Sequence, residues 1–446
     1  MKLSKEEKYH LYRRACFFEH SANMHKSEEA EKIVDAIFKE QKITPLTIDI
    51  PEWSESVAKK SKGKKGQALR KKWRKDVQVL NHMWVRQMMA PKYGLQEKMT
   101  LFWHGHFACR TVTSPYGTMA LNNVIRENAF GSFKELLFAV SKSAPMINYL
   151  HLRQNKKGHP NEDFARELCE LFTLGRDVDY TEKDVQEIAR AFTGWRSDPM
   201  GKHIVVERLH DNGEKTIFGK TGNFNGEDVL NMILENKNTA RFISKKLFKF
   251  LVEEKENQDA IEEIATSLYN SNYDIKAALK TIFTSNWFYA SRGKLILGPT
   301  EFLVLLGKLF DLKYDDVKTI IKMEAYLGQV LFDPPNVAGW PGGRKWIDSS
   351  RLALRLRLGS LIINRGYIED ALTPELDAMI KKKQPKKKEV KFYEDVDWDA
   401  FFKLNAPEDL YSVFITTNNP GLKANYGEIT LKEIIELIST PDFQMT

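Results

Sequence analysis

Apolar residues recur at three- and four-residue spacing along most of this chain, and that period restricts it to a mainly helical fold. The clearest instance is NEDFARELCELFTLG, residues 161–175. Pro160 and Asn161 supply a cap, and Glu162 and Asp163 put negative charge in the first turn, where the helix dipole favours it. Phe164, Leu168, Leu171 and Phe172 form the apolar stripe, and Gly175 closes the C-terminus. In the following YTEKDV, Thr181 caps and Asp184 completes a capping-box variant, ahead of a stripe of Val185, Ile188, Ala189 and Phe192.

The same period predicts helices over about 5–19, 27–40, 95–109, 119–128 and 132–142. It predicts more over about 226–235, 239–254, 257–269, 273–284 and 298–310. A basic helix over about 67–90 carries Leu69, Trp73, Val77, Leu80 and Trp84, and Pro91 ends it. The period changes at HIVVERLH (203–210) and KTIFG (215–219), which read as a β-hairpin turning at Asn212-Gly213. DPPNVAGWPGGRKW (333–346) is a Gly/Pro-rich loop, after which Asp348 or Ser349 caps another helix. One more helix and a tail fill 430–446.

The expected fold class is mainly α: a large multi-helix domain with one small β-hairpin at about 203–219 and long Gly/Pro-rich loops. The expected organisation is a helical domain over 1–375 with a Lys-rich insertion at 59–75, a basic linker or insertion at 376–395, and a C-terminal helical segment, 396–446, packed on the main domain. With 446 residues, 42% of them hydrophobic and 29% charged, the chain has enough apolar material for a core and a cleft. Cys16, Cys109 and Cys169 are too few and too far apart for a disulfide framework, which fits a reducing compartment. The charged start MKLSKEEKYH shows no signal peptide, and no apolar run reaches membrane-spanning length, so a cytoplasmic location is expected.

The formal net charge of +8 is concentrated: KKSKGKKGQALRKKWRK, Lys59 to Lys75, contains no acid. It reads either as a solvated lysine-rich surface or as an attractor for an acidic polymer. No recognition module surrounds it, so sequence-specific nucleic-acid binding is not expected. FGKTG at 218–222 resembles a phosphate-binding loop, but Glu214 stands where that motif needs glycine, so a hairpin end is the better reading and no nucleotide cofactor is expected.

Four segments carry candidate chemistry. In LFWHGHFACR (101–110), His104 and His106 are candidate metal ligands, yet on a regular helix they lie about 200° apart, and both sit among core aromatics. Glu167 and Glu170, three apart on one helix face, could share a proton or an ion, or form salt bridges with Arg166 and other basic residues. In RLHDNGEK, His210 and Asp211 are further candidate ligands, although Asp-Asn-Gly is also good turn chemistry. In NVAGWPGGRKW, Trp340 and Trp346 could stack on a sugar, with Asn336 and Arg344 as polar contacts and the Gly342-Gly343 backbone as an anion nest; a rigid loop pinned by tryptophans is the plainer account.

Taken in order, LYRRACF, FWHGHFA, NEDFARELCELFTLG, YTEKDVQEIARAFTGW, HDNGEKTIFG, TARFISKKLFKFLV, PPNVAGWPGGRKW and STPDFQ resemble the bacterial family catalogued as domain of unknown function 1800. The likeness runs from about residue 8 to 444, and the form without a signal peptide resembles members from the Bacteroidetes group. The resemblance implies a mostly helical protein, and by family association a sulfatase-like partner protein. The family name carries no activity, so no catalytic residue comes with it. Phe172 stands where many members have histidine, and Phe18 where glycine is commoner.

Two main readings follow, ahead of a third, ranked last, in which Glu167 and Glu170 act without a metal as an acid–base pair on a saccharide, although carboxylates three apart on one helix point the same way. In the first, a divalent metal (Zn, Mn or Fe) held by His104, His106, His210 and Asp211 activates water, Glu167 and Glu170 act as catalytic carboxylates, and an ester or glycan bond is hydrolysed. In the second, a non-catalytic protein binds an acidic polysaccharide or a partner through the lysine block and the tryptophan loop.

Overall fold

A computed structural model describes residues 1–49, 63–90, 94–112, 114–176, 178, 180–363, 395–417 and 430–446. The basic linker expected at 376–395 lies outside them except for its last residue, as does the start of the lysine block, 59–62.

The chain opens with α1 (Lys5–Cys16), α2 (Ala30–Lys39), α3 (Gly63–Met89), α4 (Gly94–His106), α5 (Pro115–Asn128), α6 (Phe133–Ser141) and α7 (Ala144–Tyr149). Then come α8 (Asp163–Glu167), a π-helix (Leu168–Thr173), α9 (Glu182–Ala191), and the strands β1 (Trp195–Ser197), β2 (His203–Val205), β3 (Lys215–Ile217) and β4 (Lys220–Gly222). Helices resume as α10 (Gly226–Glu235), α11 (Lys237–Leu251), α12 (Gln258–Asn270), α13 (Ile275–Phe283), α14 (Asn286–Tyr289) and α15 (Pro299–Leu309). The last are α16 (Val317–Leu327), α17 (Ser349–Ile363), α18 (Trp398–Leu404), α19 (Leu410–Phe414) and α20 (Leu431–Ile438). None of the described helices is long and apolar enough to cross a membrane.

The mainly helical class with a small β element stands, but the strands pair differently from expectation. β2 pairs antiparallel with β1, and β3 with β4, so 203–210 and 215–219 belong to two separate hairpins. Phe218 and Gly219, both at positive φ, make the tight turn between β3 and β4, so FGKTG is a hairpin end. Asn212-Gly213 turns no hairpin, because Asp211 is drawn to Arg190 on α9 at 2.8 Å and the segment follows it. α16 was not anticipated; Asp316 caps it, accepting from the Lys318 and Thr319 N–H groups at 3.2 Å.

Two apolar cores are present. The first gathers α1, α2, α4 to α14 and the π-helix around Trp103, Phe107, Phe133 and Phe192. The second gathers α3 and α15 to α20 around Trp84, Phe302, Phe310 and Phe414. α4 lies in both: Leu101 belongs to the second core and Phe102 and Trp103 to the first. All of α4 except Gly105 is buried.

Candidate functional site

α4 stays helical through His106, so the two histidines face different surroundings. His104 Nε2 accepts the Phe332 N–H at 3.2 Å, and its ring meets those of Trp84 and Phe332 edge-on. His106 Nε2–H donates to the Phe172 carbonyl at 3.0 Å, which leaves Nδ1 as a buried acceptor with no partner among the described residues. Burial, reinforced by the Arg126 charge, pushes His104 down to about 3. Burial and the Lys246 charge push His106 down to about 3 as well, against the opposing pull of the Phe172 carbonyl. Both imidazoles are therefore neutral at physiological pH.

The proline- and glycine-rich loop closes on this helix. Gly339 has φ +81°, and a Cβ there would run into the Gly105 carbonyl oxygen. The close approach sets the Trp340 ring against His104, with centroids 5.3 Å apart. Between α4, α11 and the loop lies a cleft of about 210 Å³. Phe102, Phe250, Trp340 and Trp346 supply its apolar wall.

Lys246 and Lys249 are the cations of the cleft wall. Lys249 and Lys245 share Glu256, at 2.7 and 2.8 Å. Lys246 is half-buried and has no carboxylate partner among the described residues; its ammonium lies 5.2 Å from the Phe242 ring centre. Burial lowers its pKa, and the charges of Lys249 and Lys245 lower it further. Glu301, also on the wall, is held by buried Lys98, whose ammonium sits 4.8 Å from the Phe17 ring and 5.4 Å from that of Phe250.

The other residues singled out in the sequence are placed elsewhere. The Gly342-Gly343 nest is taken by the protein itself: Glu254 Oε2 accepts the Arg344 N–H at 3.2 Å, and Gly343, at φ +56°, leaves room for that carboxylate. The Arg344 side chain is exposed, and exposed Asn336 uses Oδ1 to accept the Ala338 N–H at 2.9 Å, shaping its own loop. His210 donates from Nδ1 to the Thr193 carbonyl at 2.8 Å. Asp211 is held at about 2, first by Arg190. The Lys215 ammonium caps the Asp211 and Gly213 carbonyls at 2.6 and 2.9 Å. His210 and Asp211 are thus a latch tying their loop to α9, which corrects their expected place at a hairpin tip. Glu170 is paired with Arg176, and burial and the Glu170 charge raise the pKa of Glu167.

A metal site needs converging donors, and these do not converge. Both histidine Nε2 atoms are engaged, in different directions, and the His210–Asp211 latch is satisfied internally. Among the described residues no three His, Cys, Asp or Glu side chains gather where a cation could sit. What the structure does bring together is the HGH helix, the tryptophan loop and Lys246. Lys246 was missed in the sequence; the only hint was a lysine flanking the apolar stripe of Ile243, Leu247 and Phe250.

Fold and site together define a mainly helical protein with an aromatic-walled, cationic cleft between two cores. The chain belongs to the family described as "Protein of unknown function (DUF1800)", whose profile matches residues 10–444. No curated protein and no solved structure matches it significantly.

Proposed function

We propose that this protein binds an acidic saccharide in the cleft beside Trp340. The observation that carries the reading is Lys246, a partly desolvated lysine on the lining of an aromatic-walled cleft, with no carboxylate to balance it among the described residues. Such a charge is costly until a counter-ion arrives, and a ligand carboxylate or sulfate supplies one. The apolar faces of a sugar ring pack on Trp340 and Phe102. At about 210 Å³ the cleft suits one charged ring rather than a macromolecular partner. The alternative of a metal-dependent hydrolase draws no comparable support, because its donors face different surroundings.

Titration calorimetry with glucuronate, galacturonate and glucose tests the proposal. The uronates should bind and glucose should not. Lys246→Met should weaken uronate binding at least tenfold without lowering Tm, since it removes an unpaired charge. Equal binding of glucose, or uronate binding that survives in Lys246→Met, overturns the reading.

A further inference from the structure

The N-terminal half of α3 is a second feature that the cleft does not use. Arg70, Lys71, Lys72, Arg74 and Lys75 are all exposed, and none has an ion-pair partner among the described residues. Other stretches of surface do pair their cations, as in Arg166 with Glu182, Arg190 with Glu187 and Arg241 with Glu262. Here the four-residue pairs Arg70–Arg74 and Lys71–Lys75 instead set like charges side by side on the helix, which disfavours it in isolation. A solvated surface gains nothing from that arrangement, whereas a polyanion site does.

Two cavities open beside this helix, and consecutive residues line them. Trp73 lines one of about 430 Å³, with Tyr116, Tyr149, Ser143, Asn148 and Asp198. Arg74 lines another of about 640 Å³, with Gln78, Asn81, Val330 and Asp333. Arg110 lines both, and its Nε donates to Asp333 at 2.6 Å. Neither cavity shares a lining residue with the cleft at Lys246.

We infer that these two cavities, joined at Arg110 and flanked by the basic face of α3, form a groove for a linear acidic polysaccharide. The wall chemistry decides between polyanions. Six hydroxyl side chains and the Asn148 amide line the first cavity, and Asp198 and Asp333 place a carboxylate in each. Those groups exchange hydrogen bonds with sugar hydroxyls, which recur along a polysaccharide and are absent from a DNA backbone. The cations of α3 then meet the negative charges that repeat along the polymer, and Trp73 with Tyr149 offers ring faces to the sugars.

The test compares galacturonate monomer, short and long oligogalacturonates, and a single-stranded DNA of matched charge, with the full chain at two salt concentrations. Affinity should rise with oligogalacturonate length and fall with salt, and DNA should bind more weakly. Arg70→Glu combined with Arg74→Glu, both at exposed positions, should lower long-oligomer affinity at least tenfold with Tm unchanged. Asn148→Leu should weaken oligogalacturonate and leave DNA binding as it was. Lys246→Met should leave oligomer binding intact, so failure here and failure of the cleft reading are distinguishable. No length dependence, or full binding by the double variant, overturns the groove. DNA binding as tight as the oligomer, and as sensitive to Arg70→Glu with Arg74→Glu, overturns the choice of polysaccharide.

Discussion

At the scale of single residues, burial sets protonation and so sets the pH response. Glu324 on α16 is fully buried, and burial pushes its carboxyl up to about 8 despite donors from Asn81 Nδ2 at 2.7 Å and the Leu331 N–H at 3.3 Å. Its Oε1 and the Asn81 Oδ1 both lack partners, and a protonated Glu324 supplies the donor that this acid–amide pair needs. An unfolded glutamate titrates near about 4.3, so between that value and about 8 the folded state holds one proton more. The contribution is complete below the unfolded value and is lost as pH rises through about 8. Glu324→Gln, which keeps the neutral shape, should flatten that decline in denaturation curves taken from pH 5 to 9; an unchanged slope would assign it to other groups. His104 and His106 act in the opposite sense. Their folded values of about 3 lie below the ordinary value near about 6.5, so stability should fall as pH drops through that interval.

At the scale of elements, the contact between Gly339 and Gly105 fixes where the tryptophan loop sits. Gly339→Ala combines a left-handed φ with a clash against backbone, and should cost at least about 2 kcal/mol in urea denaturation. It should also weaken uronate binding, because Trp340 moves with the loop; a variant that binds as before would show that Trp340 is held otherwise. Helices were legible from sequence because their period is local. The helix read at 161–175 was not fully so: it is one short α segment followed by a π-helix, with Leu174 and Gly175 N–H both donating to the Cys169 carbonyl. A single widened turn leaves the apolar spacing almost unchanged, yet it aims the Phe172 carbonyl at His106. The strand pairing was misread for a related reason, since Arg190 is 21 residues from Asp211 and a turn signal carries no such information. The HGH and tryptophan segments were visible as motifs, but the meaning of Lys246 rests on what fails to reach it, which only the fold determines.

At the scale of the molecule, the last residues close the structure. Leu295 and Thr446 exchange backbone hydrogen bonds at 3.2 and 2.9 Å, and Leu297 donates to the Gln444 carbonyl at 3.0 Å. Arg355 Nε donates to Gln444 Oε1 at 3.0 Å, Arg14 donates to the Thr446 carbonyl, and Phe443 is fully buried. Leu295 and Ile296 line the cleft. Deleting residues 441–446 should therefore cost more than about 3 kcal/mol and reduce uronate affinity together with stability, measured by urea denaturation and calorimetry on one preparation. Retained affinity in the shortened chain would show that the cleft wall stands without it. The position of α4 has a mechanical consequence. Leu101 and Phe102 are neighbours in sequence, belong to different cores and border the same cleft. A molecule seated there would touch both cores, so loosening either one would have to release it first. With the cleft filled the chain should come apart in one step, and with it empty, at a seam.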